Sequence, residues 1–128
     1  MARRIIQLTA ASCPSERETE FNEWYNNIHL PMQFKSAGVK KVTRYRLKKI
    51  AAFPSSAPPK VIEIDKWPIF LSIFEFDSQE DLQDYLSSDE LASATADTRE
   101  RLTKGGWLKA GVGKKWSAEY ELINTWEK

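Results

Sequence analysis

The segment at positions 20–31, EFNEWYNNIHLP, constrains the fold of this chain more than any other. In a helix its apolar side chains fall at i, i+3, i+4 and i+7 and form one face, which consists of Phe21, Trp24, Tyr25 and Ile28. His29, the single histidine of the chain, follows Tyr25 by one turn and lies at the border of that face. Pro31 is expected to end the helix, because the residue before a proline avoids the α conformation.

Composition excludes several classes of protein. The 128 residues suit one domain, spanning 1–128. With 19 basic and 18 acidic residues, the chain gives no electrostatic reason to bind nucleic acid. No run is long and apolar enough to span a membrane, and the apolar run after Arg4 is too short for a signal segment. We therefore expect a cytoplasmic protein with neither a nucleic-acid nor a membrane partner.

Cysteine and histidine are too scarce for a metal centre. Cys13 is the only cysteine, so no disulfide forms within the chain and a reducing compartment is the default. One cysteine and one histidine do not supply the usual ligand set of a metal. We expect neither a metal nor a cofactor.

Four segments have the alternation or the apolar content of strands, at 3–9, 41–50, 69–76 and 114–126. The third is apolar on both faces, which is typical of a central strand covered on both sides. A proline-rich loop is predicted at about 51–68, with a short extra strand at 61–64 as an alternative for part of it. A loop of this length in a small domain is usually functional or mobile.

The helices have recognisable ends. Ser15 and Glu18 match a capping box, which predicts a helix from Ser15 through His29. Phe34 is expected to pack back on the core after that helix. Two further helices are predicted after strand three, the first capped by Asp77 or Ser78 and the second beginning at Ser88 and ending at Gly105-Gly106.

The resulting order, β-α-β, long loop, β-α-α-β, is that of the ferredoxin-like split βαβ fold. It predicts an α+β domain with an antiparallel sheet and its helices on one face. The second face of strand three then needs a cover, and another copy of the same sheet would provide one. We therefore expect a homodimer.

Specific residues resemble a known family. The string EFNxWYNxxHxP, followed by Gly38, Arg44-Tyr45-Arg46 and Phe74-Glu75-Phe76-Asp77-Ser78, is similar to the EthD-like branch of the dimeric α+β barrel proteins. The resemblance implies a ferredoxin-like βαββαβ protomer, a dimeric barrel and a cavity between each sheet and its helices. Relatives of that kind include lactone isomerases, polyketide cyclases and monooxygenases. Carried over by position, the motif marks Trp24, Tyr25, His29 and Pro31.

His29 is the leading candidate for chemistry, since imidazole exchanges a proton near neutral pH without large tuning. It would act as a general acid or base, with Tyr25 orienting a substrate oxygen. The alternative is a histidine that only fixes the end of its helix. The residues predicted to bind substrate are Trp24, Asn26, Tyr45, Glu75, Tyr85 and Trp107. Glu75 interrupts an apolar strand, and its alternative role is an ion pair with Arg44.

These features lead to three functional hypotheses. The first is a cofactor-free isomerase, cyclase or lyase that transfers a proton on an apolar oxygenated substrate, such as a lactone or a polyketide-like compound. The second is a non-catalytic dimer that binds a small-molecule ligand or acts as a scaffold. The third is a monooxygenase of the same fold. The sequence identifies neither the substrate nor the bond that changes.

Overall fold

The computed structural model describes residues 3–49 and 67–128, which form an antiparallel sheet with helices on one face. Its strands are β1 (Ile5–Ser12), β2 (Lys41–Arg46), β3 (Phe70–Phe76) and β4 (Gly113–Glu121). Its helices are α1 (Glu18–Trp24), α2 (Leu30–Phe34), α3 (Gln79–Leu86) and α4 (Asp89–Lys104). The loop predicted at 51–68 and the strand considered at 61–64 lie outside the described residues, apart from Trp67 and Pro68.

The strand order is β2-β3-β1-β4, and every neighbouring pair is antiparallel. This order confirms the predicted ferredoxin-like α+β fold. The strand bounds differ from the prediction at several ends. β1 runs on to Ser12 because Ala11 and Ser12 pair with the start of β4, after an irregularity between Ala10 and Ala11.

The two faces of the sheet differ in burial. β3 directs Phe70, Ser72, Phe74 and Phe76 toward the helices, where all four are buried. The intervening residues of β3 are half-buried on the opposite face, here called the outer face. Apolar positions on neighbouring strands share it, as the pairing register shows: Ile6, Leu8, Leu71, Ile73, Trp116 and Tyr120.

The predicted helix end at Pro31 is wrong. Between α1 and α2 the chain forms a single π-helical turn, Tyr25–His29, in which the amide of Leu30 donates to the carbonyl of Tyr25. Pro31 then lies in the first turn of α2. A proline there has no N–H to donate and its ring would press on the carbonyl four residues earlier in a regular α-helix, so a wider turn accommodates it.

The π turn also changes which side chains face inward. Phe21, Trp24 and Tyr25 are buried as predicted, but Ile28 is 40% exposed and does not join them. Phe34, expected in the core, is 52% exposed. One extra residue in the turn rotates everything after it relative to the i, i+3, i+4 pattern, which assumes 3.6 residues per turn.

The helix cap predicted at Ser15 is wrong, and those at Ser78 and Ser88 are confirmed. Residues Ser15–Arg17 form a separate 3₁₀ turn without a side-chain cap, and Glu18 pairs instead with Arg46, with Oε1 2.6 Å from Nε. The hydroxyls of Ser78 and Ser88 each accept a backbone N–H at the start of α3 and α4. Within residues 3–49 and 67–128, no helix has the length and hydrophobicity needed to cross a bilayer.

Candidate functional site

A cavity of about 490 Å³ lies between the sheet and the helices. Its size falls in the range of pockets that hold drug-sized ligands. One wall comes from β1, through Gln7, Thr9 and Ala11. The facing wall comes from the segment around the π turn and from α4, including Trp24, Tyr25, His29, Thr98 and Leu102.

Five of the eight sequence-predicted site residues line this cavity, namely Trp24, Tyr25, His29, Tyr85 and Trp107. The other three do not. Asn26 is exposed and accepts a hydrogen bond from Nη1 of Arg44 at 2.8 Å. Tyr45 is 55% exposed on the outer face. Glu75 also lies on that face.

The alternative role considered for Glu75, an ion pair with Arg44, is wrong. Arg44 pairs in register with Ser72, whose side chain points toward the helices, whereas Glu75 alternates onto the outer face. Side chains of opposite faces cannot meet across a sheet. Glu75 instead lies 4.0 Å from the ammonium of Lys41.

A chain of hydrogen bonds holds His29. The amide nitrogen of Gln33 lies 2.8 Å from Nε2 of His29, and the hydroxyl of Tyr85 donates to Oε1 of Gln33 at 3.1 Å. On the other side Nδ1 lies 3.4 Å from the hydroxyl of Thr98, which donates to the carbonyl of Ala94 at 2.9 Å. Since Gln33 donates to Nε2, the ring proton belongs on Nδ1, where Thr98 accepts it.

Two aromatic rings contact His29. The indole of Trp24 stacks on the imidazole, with centroids 4.5 Å apart and 25° between the planes. The ring of Tyr25 meets it edge-on at 4.9 Å. Trp24 precedes His29 by five residues, which would place the two on different sides of a regular α-helix. The π turn therefore makes this stack possible.

Burial sets the protonation state of the site. Burial lowers the pKa of His29 to about 4. The negative charge of Asp97 opposes this shift, and the positive charges of Lys114, Arg44 and Arg101 add to it. Burial also raises the pKa of the phenols of Tyr25 and Tyr85. At neutral pH the site therefore presents a neutral imidazole and two neutral phenols.

Charged groups behind the aromatic residues fix their orientation. The indole N–H of Trp24 donates to Oδ2 of Asp97 at 2.7 Å, and that oxygen also accepts from Nε of Arg101 at 3.2 Å. The indole N–H of Trp107 donates to Glu20 at 2.9 Å. Both indoles are thus held by carboxylates, as is usual for a buried Trp N–H.

Arg44 supports Tyr25 from the sheet. Its guanidinium carbon lies 4.4 Å from the ring centroid of Tyr25 and 5.1 Å from that of Phe70, which is cation–π geometry. Burial lowers the pKa of Arg44. In the part of the chain that the structure describes, Nε and Nη2 are buried without a hydrogen-bond partner. The guanidinium therefore acts mainly through its flat face and its charge.

Sequence reasoning missed three residues of the site, Gln33, Thr98 and Asp97. Gln33 follows His29 by four residues, a spacing at which helical side chains meet, but the predicted helix end at Pro31 hid it. Thr98 lies 69 residues from His29 and Asp97 lies 73 from Trp24. No local pattern connects residues so far apart.

A reactive cysteine and a metal site are two other arrangements that could supply chemistry. Cys13 is buried and does not line the cavity, and burial raises the pKa of its thiol. A raised pKa keeps a thiol protonated and unreactive. Across residues 3–49 and 67–128, no three His, Cys, Asp or Glu side chains cluster as metal ligands.

Comparison with known proteins identifies solved structures with a similar fold. No protein-family model matches the chain, and no curated protein matches it. Among solved structures it is similar to an EthD family protein from Bacillus halodurans, at 19% identity and a TM-score of 0.56, over 96% of this chain and 100% of the other. A Dabb family protein with a ferredoxin-like fold from Mesorhizobium loti shows 13% identity and a TM-score of 0.54, over 96% and 98%.

A third similar structure is a variant of SnoaB, a cofactor-independent oxygenase from Streptomyces nogalater, at 12% identity and a TM-score of 0.50, over 98% of this chain and 97% of the other. Fold does not determine activity, and these identities are too low to transfer one. The chain therefore has the ferredoxin-like α+β fold that it shares with the EthD family protein and the other two structures.

Proposed function

We propose that this protein is a cofactor-independent enzyme that transfers a proton on an apolar, oxygenated small molecule. The observation that carries the proposal is a neutral imidazole, His29, placed at the wall of a largely apolar cavity and oriented by Gln33, Thr98 and two aromatic rings. A histidine that acts as a general base needs both a fixed orientation and an available nitrogen lone pair. The substrate class is one that carries a carbonyl group next to an acidic C–H.

The proposed step uses Nε2 of His29. The substrate displaces the Gln33 amide from this nitrogen, and its C–H proton moves to the lone pair. The C–H electron pair becomes an enolate, and His29 becomes an imidazolium. Return of the proton to a different carbon completes an isomerisation. The neutral phenol of Tyr25, which also lines the cavity, donates a hydrogen bond to the enolate oxygen.

The low pKa of His29 limits the substrates on which such a base can act. An imidazolium with a pKa of about 4 is disfavoured in the empty cavity, chiefly by desolvation. An enolate beside it reverses part of that penalty, since an opposite charge favours the protonated form. The enzyme should therefore prefer substrates whose anion is well stabilised, such as ketones whose acidic C–H carbon is attached to an aromatic ring.

A second candidate function is oxygenation without a cofactor. It is favoured by the similarity in fold to SnoaB, itself a cofactor-independent oxygenase. The same enolate would give up electrons to dioxygen, forming a C–O bond and a peroxide anion that takes the proton back from His29. Proton abstraction is thus common to both candidates, and the use of dioxygen separates them.

We also propose that the protein is a homodimer assembled through the outer face of the sheet. Four apolar side chains of the two central strands are only half-buried there, Ile6, Leu8, Leu71 and Ile73. Trp116 and Tyr120 from β4 extend the patch and are 43% and 54% exposed. A patch of this extent favours an interface, and a twofold axis would pair it with itself.

Proton exchange offers a test that does not need the natural substrate. β-Tetralone carries an acidic C–H beside a carbonyl, and its exchange in deuterated water can be followed by NMR with and without the protein. We expect catalysed exchange by the wild type and roughly a hundredfold slower catalysis by His29→Gln, the usual scale for losing a general base. Asn27→Gln, an exposed change in the same π turn, should match the wild type.

The outcomes assign the function. Equally fast catalysed exchange by the wild type and His29→Gln would reject His29 as the base. Exchange by neither protein above the rate without protein would support a ligand-binding or scaffold role. Consumption of dioxygen in step with loss of β-tetralone would favour the oxygenase over the isomerase. Exchange without dioxygen consumption would favour the isomerase.

A further inference from the structure

The charges that line the cavity are all of one sign. Among residues 3–49 and 67–128, its lining contains two charged side chains besides the neutral His29, namely Arg99 and Lys114, and no aspartate or glutamate. The chain as a whole has 19 basic and 18 acidic residues. The cavity lining is therefore more positive than the chain as a whole.

These two cations differ in exposure from the aromatic residues of the cavity. Arg99 lies on α4 and Lys114 near the start of β4, and both are exposed, whereas Trp24, Tyr25 and Trp107 are buried. The cavity lining thus combines buried aromatic side chains with solvent-exposed cations. A ligand that matches both kinds of side chain would be amphiphilic.

Neither cation is neutralised by a carboxylate within residues 3–49 and 67–128. Two other basic residues of α4 differ from Arg99 in this respect, because Arg101 pairs with Asp97 at 3.2 Å and Lys104 with Glu100 at 3.6 Å. Three threonines of α4 also line the cavity, Thr95, Thr98 and Thr103. The hydroxyls of Thr98 and Thr103 already donate to the carbonyls of Ala94 and Arg99, so of the three it is Thr95 that can add a donor for an anionic oxygen.

We infer that the cavity binds an aromatic carboxylate, with its ring against Trp24 and Tyr25 and its carboxylate at Arg99 and Lys114. This inference rests on the proposed function for the cavity and narrows the substrate class to ketones that also carry a carboxylate. Arg and Lys both bind carboxylates, Arg with two parallel donors. Aromatic rings in the ligand would stack on the buried indole and phenol.

Binding of such an anion would also act on His29. Lys114 is among the charges that lower the pKa of His29. A carboxylate seated on Lys114 would offset that charge and so make the imidazole a better proton acceptor. Ligand binding and proton abstraction would then be coupled through one lysine.

A matched pair of probes tests the inference. β-Naphthoate and β-naphthamide have the same ring system and nearly the same shape, but only the first is an anion. Their affinities would be measured by calorimetry at low ionic strength, for the wild type, Arg99→Gln, Lys114→Gln and the double variant. Lys109→Gln serves as the control, because Lys109 is exposed and does not line the cavity.

We expect β-naphthoate to bind the wild type about tenfold more tightly than β-naphthamide, since each exposed ion pair contributes up to roughly fivefold. Each single variant should lose part of this preference and the double variant nearly all of it, with β-naphthamide affinity unchanged throughout. Added salt should weaken only the naphthoate complex. Lys109→Gln should behave as the wild type.

Three results would overturn the inference: equal affinities of the wild type for the two probes, a preference that survives in the double variant, or no binding of either probe at millimolar concentration. The proton-transfer proposal fails separately. It would be rejected if His29→Gln catalysed exchange as fast as the wild type, a result that leaves the naphthoate preference, and so the present inference, unaffected.

Discussion

The imidazole of His29 stacks on the indole of Trp24, with ring centroids 4.5 Å apart. This contact depends on the π turn Tyr25–His29, because residues five apart in a regular α-helix do not face each other. The indole is itself fixed by Asp97 on α4. His29 is therefore positioned by the π turn of its own helix and, through the indole of Trp24, by the carboxylate of Asp97.

The first prediction concerns pH. His29 has an ordinary pKa of 6.5 in the unfolded chain and a pKa of about 4 in the folded protein. Between these values the unfolded chain binds more protons, so stability should be fully present above about pH 6.5 and fall as the pH drops toward 4. The shift corresponds to a contribution of roughly 3 kcal/mol to the free energy of unfolding. Urea unfolding at a series of pH values measures it.

The control for this prediction is His29→Gln. Carboxylates also titrate near the lower end of the window, so the wild type alone does not isolate the histidine. The difference in unfolding free energy between the wild type and His29→Gln should shrink steadily from pH 7 to pH 4. A difference that stays constant over this range would show that the histidine titrates alike in both states.

A second prediction concerns Gln33, which joins His29 to Tyr85. Gln33→Leu removes both hydrogen bonds and leaves the phenol of Tyr85, a buried residue, without its partner. An unsatisfied buried polar group costs about 1–3 kcal/mol, so the free energy of unfolding should fall by about that amount. Gln83→Leu, at an exposed position of α3, is the control and should change stability little. Equal stability of the two variants would contradict the hydrogen-bond chain.

Much of the fold could be predicted from residue order. Alternation and β-branched or aromatic content reveal the four strands, because side chains of a strand point to opposite faces in turn. Ser78 and Ser88 reveal the starts of α3 and α4, since a cap is a local hydrogen bond. His29 and its aromatic neighbours could be placed near the cavity for the same reason, as they share one short segment.

The π turn and the long-range contacts of the site could not be predicted from any local sequence pattern. Pro31 favoured the prediction of a helix end. The helical segment nevertheless continues to Phe34, because the π turn accommodates the proline. The prediction that Ile28 faces the core assumed a regular α-helix and was wrong for the same reason. Thr98 contacts His29 only after α4 has packed across the cavity, so the partner that fixes the imidazole is a property of the tertiary structure.

A third prediction concerns Gly38, which packs directly against α3. A Cβ at this position would lie 2.1 Å from the carbonyl oxygen of Asp81, a backbone atom that cannot move aside cheaply. Gly38→Ala should therefore destabilise the protein by about 1–3 kcal/mol or more, the usual cost of overpacking. Ala37→Ser, at the exposed neighbouring position, is the matched control. Urea midpoints for the two variants that agree with the wild type would contradict the close approach.

A fourth prediction concerns the outer face of the sheet. If it forms a homodimer interface, the wild type should be a dimer by light scattering at micromolar concentration. Ile73→Arg places a charge at the centre of the face, on β3, and should yield a folded monomer, because a buried unpaired charge is costly. Ala92→Arg, exposed on α4, should leave the dimer intact. A monomeric wild type would reject the proposed dimer.

The last prediction uses two charges near His29 that act in opposite directions. Asp97 raises its pKa and so opposes the larger effect of burial, whereas Lys114 lowers its pKa and adds to that effect. Asp97→Asn should therefore move the pKa of His29 below about 4, and the loss of a partner for Arg101 should move it in the same direction. Lys114→Gln should move it upward.

The imidazole C–H shifts followed by NMR between pH 3 and 7 give each midpoint, and Lys109→Gln provides the reference for an uninvolved lysine. Shifts of opposite sign would confirm that charge tunes the base; two midpoints equal to that of the wild type would show that burial alone sets it.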